Sequence, residues 1–445
     1  MTRVFHRQLL SQPPIAVSGE GVYIRDSQGS LYLDASAGAA VSSLGHNHPD
    51  VIRAIKRQLD NIPFAHSGFF SNLAMEELGT YLAERAPGSL NYVYFVGSGS
   101  EAMEAAIKLA RQYFVEIGLE KRQFIISRKQ SYHGSTLGAL SVGGNFARRK
   151  PFMPLLADAH HIAPCYAYRH QRSGESIEEY AVRAAEELEV KIQEIGAERI
   201  IGFVAEPVVG ATLGAVPAPP GYFRRVREIC NKYDILLILD EVMCGMGRTG
   251  TLFASEQEDI VADLLTTAKG LGAGYQPIGA LLVDEKIYQA ILQGSGAFQH
   301  GHTYVGHAAS CAGALAVMKV IERDHLLNQV IVLGRQLRKM LVQRFARHPH
   351  IGDIRGRGLL LALEFVLDKR TKAPFPSELR LDQVLKSSAM QEGLICYSMA
   401  GTIDGTLGNH VLIAPPFIIS ESQIVELVEK LGAAVDNCLS KILTS

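Results

Sequence analysis

The sequence has no surplus of positive charge: 44 Lys and Arg stand against 45 Asp and Glu, a formal charge of −1. With no net positive field to hold a phosphate polymer, nucleic acid is not expected as a main partner. Long apolar runs are also missing. The longest, such as Ile235–Leu239, are far too short to cross a bilayer. The opening MTRVFHRQLLSQPP carries basic residues but no apolar h-region, so neither a targeting segment nor a membrane anchor is expected. The six cysteines, Cys165, Cys230, Cys244, Cys311, Cys396 and Cys438, lack close pairing, and Cys230 and Cys438 fall in helix-like stretches. Such spacing suits reduced thiols instead of a disulfide or zinc framework and points to a cytoplasmic protein. There is no internal repeat and no disordered linker.

What is present is ordinary globular composition: 445 residues, 47% hydrophobic and 20% charged. That length favours two or three domains and a core deep enough to enclose an active site. Short apolar β-type runs alternate with helical periodicity through the middle of the chain, the pattern of a mainly parallel sheet covered by helices, so the class is α/β. Strands are predicted at Tyr92–Val96, Gln123–Ser127, Ile200–Ala205, Ile235–Leu239, Leu264–Thr267 and Ile278–Val283, and helices at Glu101–Phe114 and Gly221–Lys232. From about Ala308 a small-residue helix leads into a second, smaller α+β unit. GVYIRDSQGSLYLDAS near the start reads as a hairpin that packs onto another unit. The expected division is an N-terminal segment over 1–55 packing with the small domain, a large domain over 56–320 and a C-terminal small domain over 321–445.

Ligands of open α/β sheets bind beyond the carboxyl ends of the strands. Here those ends carry Glu206, the pair Asp240 and Glu241, and Lys269. Each alone is weak: a loop lysine is usually a solvated cation, and an acid pair also occurs in nucleotide hydrolases. The hydrolase reading requires a GxxxxGK[ST] loop, and the chain has none. GSGSEAMEAAIK, from Gly97, follows a strand and opens a helix, so backbone N–H groups would face an anion; a plain tight turn fits that segment equally well. Tyr132 follows the next strand and would supply a ring at the same edge. His46, His48, His300, His302 and His307 raise a zinc hydrolase, but they lack HExxH geometry and acids to complete a shell; the expected metal is none. A phosphate cradle, a stacking ring, an acid and a lysine together match pyridoxal 5′-phosphate, with its phosphate, flat ring, ring nitrogen and aldehyde.

The pieces GSGSEAMEAAIK, SYHGSTLGALS, AEPVVGATLG, LILDEVMCGMGRTG, TTAKGLGAGYQPIGA, HGHTYVGHAAS, IRGRGLL and APPF stand in the order of the class III pyridoxal-phosphate aminotransferases of fold type I, which the chain resembles. The most specific of these signals is DEVxxGxGRTG with a lysine 29 residues (269 − 240) beyond its first acid. The resemblance implies a homodimer with two shared sites. Lys269 resembles the Schiff-base lysine, Asp240 the acid at the pyridine nitrogen, and Val242 and Tyr132 the pair that sandwiches the ring. Gly99 and Ser100 match the phosphate-binding pair, Thr303 the threonine that reaches the neighbouring subunit's cofactor, and Glu206 a support near the cofactor. The implied reaction moves an amino group from an amine or an ω- or β-amino acid to a keto acid. The closest likeness is to the ω-amino acid:pyruvate branch, so pyruvate is the expected acceptor. Branches that use 2-oxoglutarate carry a Glu and two Arg where this chain has Ala211, Leu412 and Ser135, and some members carry an aromatic residue where it has Ala39. No arginine follows Arg380, so any missing cation would be an earlier one such as Arg357. An aminomutase, a racemase, a decarboxylase or a 2-oxoglutarate-using transaminase remains open within the same fold.

Overall fold

A computed structural model describes residues 3–9 and 12–444. Of the opening stretch read above for a targeting signal, residues 1, 2, 10 and 11 lie outside the described residues, as does residue 445. The centre is a seven-stranded sheet, β1 (Tyr92–Val96), β2 (Phe124–Arg128), β3 (His160–Ile162), β4 (Ile200–Ala205), β5 (Leu236–Asp240), β6 (Leu264–Thr267) and β7 (Gly279–Val283). Its spatial order is β1-β7-β6-β5-β4-β2-β3. The pairs β3–β2, β2–β4, β4–β5 and β5–β6 are parallel, and β7 runs antiparallel to both β6 and β1. The expected mainly parallel sheet is therefore present.

Why β5 reads as an unbroken apolar run follows from its place between two helix layers. Leu236 and Ile238 join the apolar cluster shared with the helix α1 (Gly99–Glu116), whereas Leu237 and Leu239 join the cluster of the helices Ile177–Ile195 and Tyr222–Lys232 on the other face. β3 was not legible in the sequence: it is three residues long, two of them histidines.

The hairpin expected near the start pairs Tyr23–Asp26 with Leu31–Asp34, and Leu394–Ile395 adds to Leu31–Asp34 in parallel. A four-stranded antiparallel sheet of Ile351–Arg357, Leu360–Phe365, Asn409–Ile413 and Tyr397–Ala400 forms the C-terminal α+β part with the helices Leu381–Gln391 and Glu421–Leu443. No helix among the described residues is long and apolar enough to cross a membrane.

Candidate active site

Because β1, β2, β4, β5 and β6 share one direction, the residues following them gather at one edge of the sheet. There they line a cavity of about 680 Å³. Seven of the eight candidate residues, Gly99, Ser100, Tyr132, Glu206, Asp240, Val242 and Lys269, are on its wall. Thr303 is not: it is exposed on a loop before the helix Ala308–Arg323. Ala39, Ser135 and Ala211 also face the cavity, whereas Leu412 is buried in the strand Asn409–Ile413 and does not.

Lys269 sits two residues beyond the end of β6 with φ at 35°, in the left-handed region that costs a side-chain-bearing residue about 1–3 kcal/mol. Its Nζ donates to the Ala39 carbonyl oxygen at 3.2 Å, and no acid is paired with it among the described residues. Burial holds the amine below its ordinary value, Arg148 adds to that, and the nearby Asp240 and Glu206 oppose it.

Asp240 ends β5 and is buried. One carboxylate oxygen accepts from His133 Nδ1 at 2.8 Å and the other from the Val242 N–H at 3.0 Å. Glu206 accepts from the Gly210 N–H at 3.3 Å and the Tyr132 N–H at 3.4 Å, and burial pushes its carboxyl up to about 7. The sequence reading assigned no role to His133, although it adjoins Tyr132 in the Tyr-His-Gly turn. A carboxylate this deep needs an oriented partner, and the histidine beside the stacking ring supplies it.

At the start of α1, the Ser98 hydroxyl caps the helix by accepting from the Glu101 N–H at 3.2 Å, and Ser100 Oγ accepts from the Ser135 N–H at 3.0 Å. The first N–H groups of a helix have no intrahelical acceptor, so those of Gly99 and Ser100 are suited to an anion. A Cβ on Gly99 would come 2.7 Å from Val242 Cγ1. Glycine there lets the helix terminus and Val242 close in together. A flat ring with a phosphate arm and an aldehyde fits this set: apolar Val242, the Tyr132 ring, the helix terminus, a buried acid and a buried amine.

The histidines raised above do not converge on one centre, although the His300 and His302 rings meet edge to face at 4.8 Å between centroids. His46 faces Asp34 at 3.4 Å, His300 contacts Lys108 at 3.1 Å and His302 is exposed. No group of three or more His, Cys, Asp or Glu side chains able to hold a metal ion occurs among the described residues. Arg357 is engaged by Glu258 at 2.7 Å and does not line the cavity. The arginines that do are Arg148, with its guanidinium 4.7 Å from the Tyr132 ring centroid, and Arg7. Neither was singled out from the sequence: Arg148 follows Tyr132 by 16 residues (148 − 132), within a basic ARRK run that resembles a solvated surface.

The chain is similar to known proteins along nearly its whole length. An uncharacterised aminotransferase of Schizosaccharomyces pombe is 42% identical, over 99% of this chain and 96% of that protein. The putrescine–pyruvate aminotransferase of Pseudomonas aeruginosa is 36% identical, over 96% and 92%. A solved ω-transaminase from Pseudomonas jessenii, in complex with PMP, superposes with a TM-score of 0.91 at 35% identity, covering 97% of this chain and 94% of that one. The family model described as aminotransferase class-III matches residues 7–435. The chain thus belongs to the class-III aminotransferases, with the fold type I architecture and pyridoxal 5′-phosphate as cofactor.

Proposed function

We propose that this transaminase takes amines and ω- or β-amino acids as donors and prefers pyruvate to 2-oxoglutarate as acceptor. The observation that carries the preference is the wall of the cavity: Ala211 and Ser135 face it where a Glu and an Arg would serve a second carboxylate, and Leu412 lies buried outside it. Losing the acid together with its arginines is self-consistent, since a buried charge left without its partner is costly. The putrescine–pyruvate relative supports the same reading.

In this proposal the residues divide the work as follows. Gly99 and Ser100 hold the phosphate on the helix terminus, and Tyr132 and Val242 enclose the ring. Asp240, oriented by His133, keeps the ring nitrogen protonated, and Glu206 supports that end of the site. Bound pyridoxal phosphate supplies an electron sink for the broken C–H bond. Lys269 would hold the cofactor through Nζ, and its depressed basicity suits the free amine to take and return the substrate proton.

The domain division at 55 and 320 is proposed with the assignment, supported by the pairing of Leu31–Asp34 with Leu394–Ile395. A homodimer is proposed too. Phe69, Phe70 and Leu73 are 82%, 68% and 80% exposed, and this apolar segment adjoins the Thr303 loop, where Phe64 meets Tyr304 at 5.7 Å between ring centroids and Asn72 donates to the Gly306 carbonyl. Thr303 would then complete the site of a second copy. Unbonded cysteines support a cytoplasmic setting.

The test is kcat/KM for the two acceptors with one common donor. A missing bidentate arginine contact is worth roughly 2–3 kcal/mol, so pyruvate should exceed 2-oxoglutarate by about a hundredfold. Equal or better use of 2-oxoglutarate would overturn the preference.

A further inference from the structure

The cavity holds an arginine that the chemistry above does not use. Arg148 lies on the short helical turn Phe146–Arg149, capped where the Arg148 N–H donates to Asn145 Oδ1 at 3.1 Å. The loop at 401–408 braces that turn: Gly405 packs against Asn145 and Ala147, and Gln130 Nε2 donates to the Gly401 carbonyl at 2.6 Å. The guanidinium rests over the Tyr132 ring and has no acid, carbonyl or hydroxyl hydrogen-bonded to it among the described residues.

Several other arginines of the chain are otherwise occupied. Arg149 is buried against Phe146, Arg128 donates to the Glu206 carbonyl, Arg248 to the Leu359 and Pro415 carbonyls, and Arg355 and Arg357 are paired with Glu364 and Glu258. Stacking on an aromatic face uses the face of a guanidinium and leaves its rim of N–H donors open, the geometry that receives a carboxylate in a two-point contact. Arg148 is also near enough to the catalytic lysine for its charge to depress the Lys269 amine.

We propose that Arg148 is the specificity residue that binds the single carboxylate of the keto acid acceptor and of amino-acid donors, beside the Tyr132 ring. The inference rests on the transaminase reading above and supplies the cation for which no arginine beyond position 380 is available. One fork satisfies one carboxylate, which agrees with pyruvate over 2-oxoglutarate.

The experiment compares two donors differing only in the carboxylate, 4-aminobutyrate and butylamine, in single-turnover half-reactions of the holoenzyme, with Arg148→Gln, Arg148→Lys and Arg7→Gln. Losing a charge-assisted contact should raise the half-saturating concentration of 4-aminobutyrate by about ten- to a hundredfold more than that of butylamine in Arg148→Gln. Arg148→Lys should recover part of this, and Arg7→Gln should show no such selectivity. A second readout needs no turnover: propionate, a non-reacting carboxylate, should raise the melting temperature of the wild-type holoenzyme and not that of Arg148→Gln. Equal losses for both donors, a selective loss in Arg7→Gln, or a propionate effect that is absent in wild type or survives in Arg148→Gln would overturn the proposal. Should the wild type fail to react with any donor, the transaminase substrates proposed above fall, and the propionate arm still decides the role of Arg148.

Discussion

Asp240 concentrates the proposed chemistry at the residue scale. It is buried at the end of an apolar strand, and its two oxygens are taken by the His133 imidazole and the Val242 amide. An amide at this position keeps the shape but cannot hold the proton of the cofactor ring. Asp240→Asn should therefore keep the cofactor bound while lowering the transamination rate roughly a thousandfold or more, each ~1.4 kcal/mol being a factor of ten. His133→Ala removes the orienting hydrogen bond together with the buried ring but leaves the carboxylate in place, so a smaller loss of roughly ten- to a hundredfold is expected. Rates of the half-reaction with a saturating amine check both; near-normal activity in Asp240→Asn removes Asp240 from the proposed role. The acid was legible because it closes the run LLILD inside a specific motif. Its histidine partner was not, because the two lie 107 residues apart and meet only when β2 and β5 come together around β4.

Among the elements, α1 and the strand ends carry the site. Parallel order sends the residues after five strands to one edge, so apolar runs ending in Glu206, Asp240 and Lys269 were sufficient to locate it. What the runs could not disclose is how close the elements approach. Gly99 is such a case: its φ is unremarkable, but a Cβ would meet Val242 Cγ1 at 2.7 Å, so glycine is required by contact, not by conformation. Gly99→Ala would push Val242 or the helix terminus out of place. With overpacking worth typically 1–3 kcal/mol, cofactor affinity should fall by roughly ten- to a hundredfold. Titrating apoenzyme with cofactor measures this, and unchanged affinity would mean that the terminus and Val242 do not jointly form the cofactor's seat. Arg357 marks the opposite limit: it was a reasonable candidate cation by position, but Glu258, 99 residues away in sequence, holds it elsewhere.

For the whole molecule, the chain brings seven of the eight candidate residues to one cavity and leaves Thr303 exposed beside an apolar surface. In the proposed dimer, Lys269 and Thr303 of one site come from different copies. Lys269→Ala chains exchanged with chains bearing a disruptive Thr303→Arg should then form mixed dimers with one intact site, and activity should reappear although each parent is impaired. No recovery after demonstrated subunit exchange would place both residues in the same copy's site. The proposed assembly rests on family likeness, since an interface between copies leaves no periodic mark on the strands and helices of one chain. Every part of the account depends on Lys269, the buried amine at the end of β6. Its most direct test is borohydride reduction of the purified holoenzyme followed by peptide mass spectrometry. The reduced cofactor is predicted on Lys269 and should be absent from Lys269→Ala; an adduct on any other lysine, or none in protein that carries the cofactor, would contradict the account.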